Sequence, residues 1–159
     1  MIRLGIYAGS FNPFHNGHYN IFQKACNLFD EVIIAVGINP DKEQDVIEAK
    51  QDVIGTKARL LNDIRERTVC KVEHFCHMLH EFIIEKEKED FDVTLVRGLR
   101  NGYDLDYEMN QYQFLQKFKP DIKVVYIPCD KQFEHISSSA LRGIQKFQSI
   151  EEFLPARTK

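Results

Sequence analysis

Residues 31–37 read Glu-Val-Ile-Ile-Ala-Val-Gly, a near-continuous apolar run. A strand with one wet face alternates polar and apolar side chains. A run like this one needs cover on both sides, as in the middle of a parallel sheet. Asn39, Pro40, Asp41 and Lys42 then break it with turn residues. The same pattern recurs along the chain. Residues 2–8 are apolar and β-prone and stop at Gly9, and residues 69–72, 92–96 and 122–127 predict three further short strands.

Between these runs the spacing is helical. Ile21, Phe22, Ala25, Leu28 and Phe29 mark one face over residues 17–29, and Ala58, Leu60, Leu61 and Ile64 do so over 57–67. Leu79, Phe82 and Ile83 mark a helix over 78–88, and two more are predicted over 104–118 and 138–146, the last capped by Ser137. Strands alternating with helices imply β-α-β units joined by right-handed crossovers. The expected fold is α/β: a Rossmann-like, doubly wound, five-stranded parallel sheet with helices on both faces. At 159 residues the chain suits one domain spanning 1–159.

Such sheets collect ligands beyond the carboxyl ends of their strands. The unusual residues fall there, at 9–18, 39–42, 97–100 and 129–139. The net charge of −3 argues against nucleic acid as a partner, because polyanion binders carry a basic excess. No apolar run reaches membrane-spanning length, and the first seven residues are too short for a secretion signal. Cys26, Cys70, Cys76 and Cys129 form no C-x-x-C pair, which predicts reduced thiols and a cytoplasmic location.

The segment Gly9-Ser10-Phe11-Asn12-Pro13-Phe14-His15-Asn16-Gly17-His18 joins the first strand to the first helix. His15 and His18, three residues apart at that helix's amino end, can face one space. Free backbone N–H groups and the helix dipole favour an anion there. No G-x-x-x-x-G-K-[ST] occurs, nor a G-x-G-x-x-G after the first strand, so a P-loop is excluded and a dinucleotide site disfavoured. His135-Ile136-Ser137-Ser138-Ser139-Ala140-Leu141-Arg142 sets three hydroxyls at another helix start, either a plain serine cap or a second phosphate grip. Arg97-Gly98-Leu99-Arg100, following a strand, offers two guanidinium forks suited to phosphate. Alternatively, those arginines form a surface ion-pair network with Asp104, Asp106 and Glu108.

Taken together, these segments carry a resemblance. The first matches the H-x-G-H signature of nucleotidyltransferases related to class I aminoacyl-tRNA synthetases. Residues 136–142 resemble the superfamily's second signature, I-S-[ST]-[ST]-x-x-R. The run from Arg97 to Glu108 fits R-G-L-R-x-x-x-D-x-x-Y-E, a pattern of the phosphopantetheine adenylyltransferases, and over nearly its whole length the chain is similar to that family.

The resemblance implies transfer of AMP from ATP to 4′-phosphopantetheine, with His18, Lys42 and Arg100 as catalytic residues. It implies an ATP site of Ser10, Phe11, His15, His18, Gly98, Leu99, Arg100, Glu108, Phe133, Glu134, His135, Ile136, Ser137, Ser138 and Ser139. Ser10, Lys42, Leu79 and Arg97 would hold the acceptor. Mg²⁺ is expected on the ATP phosphates with no protein ligand, and a homo-oligomer, commonly a hexamer, as the assembly.

The chain departs from the family pattern in a long segment, 43–67, and in having His77 and Leu115 where an acid and an asparagine are common. Cys70, His74, Cys76, His77 and His80 lack the paired spacing of a zinc site. The rival readings are a nicotinamide or nicotinate mononucleotide adenylyltransferase, a cytidylyltransferase, and a nucleotide-binding sensor without catalysis.

Overall fold

The computed structural model describes residues 1–39, 41 and 69–156. In chain order its strands and α-helices are β1 (Ile2–Gly9), α1 (Asn16–Cys26), β2 (Glu31–Gly37), β3 (Val69–Phe75), α2 (Leu79–Lys88), β4 (Phe91–Leu99), α3 (Gly102–Phe118), β5 (Val124–Pro128) and α4 (Ser138–Gln145). Short 3-10 turns cover Lys131–Phe133 and Glu151–Phe153. The five strands make one parallel sheet in the order β3-β2-β1-β4-β5. The expected helix over 57–67 lies outside the described residues, as does Lys42.

Strand alternation sorts the core into two layers. Tyr7, Val32, Ile34, Val36, Val96 and Ile127 pack against Ile21, Phe22 and Ala25 of α1. Leu4, Ile6, Ala8, Ile33, Ala35, Val93 and Leu95 pack against Phe82 and Ile83 of α2, with Tyr112 and Leu115 of α3 beside them. Helices therefore cover both faces, and β2 is buried on both sides, as its apolar run requires. Chain order reverses between β1 and β4. The connections after them leave toward opposite faces and open a crevice at their carboxyl ends.

Several boundaries shift for physical reasons. β4 runs on to Leu99, so Arg97, Gly98 and Leu99 lie within the strand, paired with Tyr126, Ile127 and Pro128, rather than after it. An arginine and a glycine in succession hide this strand end from hydropathy. β3 extends to Phe75 because it pairs with β2 as far as Gly37, and the Phe75 ring stacks on Phe82 with centroids 5.3 Å apart. α1 stops at Cys26, where Asn27, Leu28 and Phe29 close a turn by donating to Lys24 and Ala25 carbonyls. β5 starts at Val124. Ile122 is buried but its N–H turns back to the Lys119 carbonyl. α3 begins at Gly102, capped by Asn101, whose side chain accepts from the Asp104 N–H at 3.1 Å.

Candidate active site

β1 carries the chain to Gly9 at the mouth of the crevice. Phe11 follows with φ of 47°, a left-handed conformation that is strained for a bulky residue. Its buried ring meets Tyr7, Phe14 and His18 edge-on at 5.0, 5.4 and 4.9 Å. That apolar anchor holds the strained loop in place.

α1 then opens with a reciprocal cap. His15 Nδ1 accepts from the N–H groups of Gly17 at 3.1 Å and His18 at 3.4 Å, while His18 Nδ1 accepts from the His15 N–H at 3.2 Å. With both Nδ1 lone pairs used, the neutral rings carry their protons on Nε2, giving two N–H donors. The rings stack with centroids 3.6 Å apart. Burial pushes His15 down to about 4, aided by Arg100. Burial, the His15 neighbour and Arg100 push His18 well below the usual range. Both imidazoles are neutral at pH 7. Gly17 permits this arrangement, since a Cβ there would stand 2.9 Å from His15 Cε1.

The opposite wall is the start of α4. Ser137 caps it, its Oγ accepting from the Ala140 N–H at 3.2 Å and lying 3.5 Å from Ser139 Oγ. Two side chains tie this helix to the first loop. Ser138 Oγ donates to the Pro13 carbonyl at 3.0 Å, and Arg142 Nη1 donates to the Asn12 carbonyl at 2.6 Å. Ser138 therefore spends its proton on the loop, while Ser137 serves as the cap that the sequence offers as one alternative.

The two sequence readings of the arginines coincide in the structure. Arg97 Nε and Nη2 donate to Glu108 at 2.7 and 2.9 Å, and Nη1 donates to the Ala8 carbonyl at 3.2 Å. Arg100 donates from its backbone N, Nε and Nη2 to Asp104 at 2.8, 3.0 and 3.1 Å. Burial alone would raise the Asp104 pKa, but the Arg100 bonds and charge hold it below the ordinary carboxylate range. The ion pairs exist, Asp106 joins neither, and both arginines still line the cleft.

That cleft encloses about 500 Å³. It gathers twelve of the expected residues: Ser10, Phe11, His15, His18, Arg97, Gly98, Leu99, Arg100, Glu108, Ile136, Ser137 and Ser138. Others do not line it. Phe133 packs on the small core of Ile136, Leu141 and Ile150, Glu134, His135 and Ser139 face outward, and Leu79 packs beside Phe75 on the α2 face. Sequence reasoning missed Tyr7, Ile21, Tyr107 and Cys129, which also line the cleft. A tyrosine inside an apolar strand two residues before its terminal glycine was the available signal for Tyr7.

The sheet's switch point carries the H-x-G-H loop and is faced by a serine-capped helix, the arrangement that the resemblance to nucleotidyltransferases implies. Residues 6–144 match the cytidylyltransferase-like family model. A phosphopantetheine adenylyltransferase of Brucella anthropi is 33% identical over 157 residues, covering 96% of this chain and 92% of that one. One of Mycoplasma mycoides is 33% identical over 147 residues, covering 92% and 99%. Among solved structures, a bifunctional NMN adenylyltransferase/ADP ribose pyrophosphatase from Francisella tularensis superposes with a TM-score of 0.69 at 14% identity. The match covers 99% of this chain but only 46% of that one, and at such identity the likeness is of fold alone. The chain belongs to the phosphopantetheine adenylyltransferase family, within the cytidylyltransferase-like group.

Proposed function

We propose that this protein transfers the adenylyl group of ATP to the phosphate of 4′-phosphopantetheine, giving dephospho-coenzyme A and pyrophosphate. The family relationship supports the substrates. The observation that carries the chemistry is that Asp104 and Glu108, the cleft carboxylates, are locked to Arg100 and Arg97. Neither is free to act as a general base. A phosphate acceptor needs none, because it is already an anionic nucleophile near neutral pH.

An acceptor oxygen attacks the α-phosphorus in line, a P–O bond forms, and the bond to the β-phosphate oxygen breaks as pyrophosphate leaves. Catalysis then rests on holding two polyanions in line and neutralising charge as it develops. His18 Nε2–H is the proposed donor to the reacting phosphate, with Ser10 beside it. The amino ends of α1 and α4 receive the rest of the triphosphate. Arg97 and Lys42 hold the acceptor phosphate, while Gly98 to Arg100 and Ile136 border the nucleoside.

Among the described residues, no group of three or more His, Cys, Asp or Glu is placed to hold a metal ion. With both cleft carboxylates engaged by arginine, Mg²⁺ would arrive with ATP, ligated by phosphate oxygens and water. We further propose self-association, supported by Tyr103, Leu105, Tyr107, Met109, Phe114 and Phe118, all exposed on the single helix α3. A cytoplasmic location is proposed as well. It is supported by four cysteines present as thiols, and no described helix is long and apolar enough to cross a membrane. Mass spectrometry of a reaction containing Mg-ATP and 4′-phosphopantetheine tests the function. Dephospho-coenzyme A is the expected product, and AMP alone would contradict the transfer.

A further inference from the structure

Tyr7 lies on the α1 face of β1, is only 4% exposed, and lines the cleft. Phe11 at 5.0 Å and His18 at 6.4 Å hold its ring edge-on, which fixes where the hydroxyl points. Among the described residues no group hydrogen-bonds that hydroxyl. The hydroxyl opens onto the cleft, so a ligand that fills the cleft and displaces its water must use this donor or leave it unpaired at a cost of about 1–3 kcal/mol. Burial, partly offset by Arg97, raises the phenol pKa, so the hydroxyl stays protonated and acts as a donor.

Its position selects the part of the ligand. A Cβ built on Gly98 would stand 3.4 Å from Tyr7 Oη and 2.9 Å from Ile21 Cγ1. The missing side chain at Gly98 keeps the hydroxyl open. Gly98 pairs with Ile127 of β5, and the Cys129 N–H closes on the Leu99 carbonyl at 2.8 Å, so the hydroxyl lies on the β4–β5 side of the crevice. Gly98, Ile21 and Ile136 offer apolar walls in this cleft. The histidine pair and the serine cap offer donors to phosphate. The nearest charges, Arg97 and Glu108, are engaged with each other, so apolar walls with one neutral donor fit a nucleoside.

We infer that the Tyr7 hydroxyl donates a hydrogen bond to the nucleoside part of the bound nucleotide, making Tyr7 a further binding and specificity residue. This rests on the proposed adenylyl transfer. It is tested by calorimetric titration of the full chain and of Tyr7→Phe with Mg-ATP and, separately, with inorganic tripolyphosphate. Tyr7→Phe should weaken Mg-ATP by about three- to tenfold, the worth of one neutral hydrogen bond. Tripolyphosphate binding should be unchanged, and the thermal midpoint unchanged or higher. Gly98→Ala, whose methyl would press on Ile21 and touch the hydroxyl, should weaken Mg-ATP as well. Unaltered Mg-ATP affinity in Tyr7→Phe overturns the inference, and so does equal weakening of both ligands. A lower thermal midpoint with ATP binding intact would assign the hydroxyl to folding. Failure of the unmodified chain to bind Mg-ATP is a separate result, which would overturn the adenylyl-transfer proposal itself.

Discussion

His15 and His18 cap each other: each Nδ1 accepts a backbone N–H from the other's residue, and the two rings stack at 3.6 Å. The arrangement fixes the tautomer of both, since only Nε2 can carry the proton of a neutral ring. One local contact thus joins the sequence spacing H-x-G-H to an electrostatic property of the cleft.

His18→Ala removes one of those donors. By analogy with removal of a single oxyanion donor, kcat should fall roughly 10²–10³-fold, about 3–4 kcal/mol. Steady-state pyrophosphate release, with a thermal melt to confirm folding, measures it. A decrease in kcat under threefold would remove His18 from the reaction.

Stability should depend on pH through the same pair. His15 titrates near 4 when folded, against 6.5 in a free chain. Between those values the unfolded chain takes up a proton that the folded one refuses. The contribution is complete above pH 6.5 and is lost as pH falls toward 4, amounting to about 3 kcal/mol from His15. His18 acts in the same direction. Urea unfolding at pH 7 and pH 5 should show a smaller difference for His15→Asn, which keeps an acceptor for the cap but does not titrate. Parallel pH curves for the two proteins would contradict the account.

Arg142 ties α4 to the Asn12 carbonyl at 2.6 Å. Arg142→Met should loosen the loop that presents His18, lowering kcat about tenfold through loss of a charged hydrogen bond worth about 1.5–3 kcal/mol. Arg142→Lys should recover part of the loss. Equal activity in all three proteins would show that the tether does not position the loop.

Glu108 and Arg97 are both largely buried, with side chains 11% and 21% exposed. Glu108→Ala would leave the guanidinium without its partner. The expected cost is about 3 kcal/mol in chemical denaturation, larger than for Asp104→Ala, whose partner Arg100 is more exposed at 39%. The reverse order would place the stabilising pair at Arg100 instead.

The parallel sheet was legible because β2 is apolar at nearly every position, a pattern with few other uses. The H-x-G-H loop was legible because two histidines and a glycine occupied a strand-to-helix junction. The end of β4 was not, since Arg97 and Gly98 read as loop residues until their pairing with β5 is seen. Nor were the partners of the polar groups. Spacing alone cannot tell that Ser138 spends its proton on Pro13, or that Phe133 packs into a side cluster instead of the cleft. The first depends on how the C-terminal segment folds back across the loop, a contact made more than a hundred residues away in sequence, and the second on how residues 133–154 fold on one another.

Adenylyl transfer to a phosphopantetheine acceptor is tested most directly by pyrophosphate release with Mg-ATP, comparing 4′-phosphopantetheine with nicotinamide and nicotinate mononucleotides. Release is expected with 4′-phosphopantetheine alone and should be lost in His18→Ala. Release with a mononucleotide alone would contradict the proposed acceptor, and no release with any of the three would contradict catalysis of this transfer.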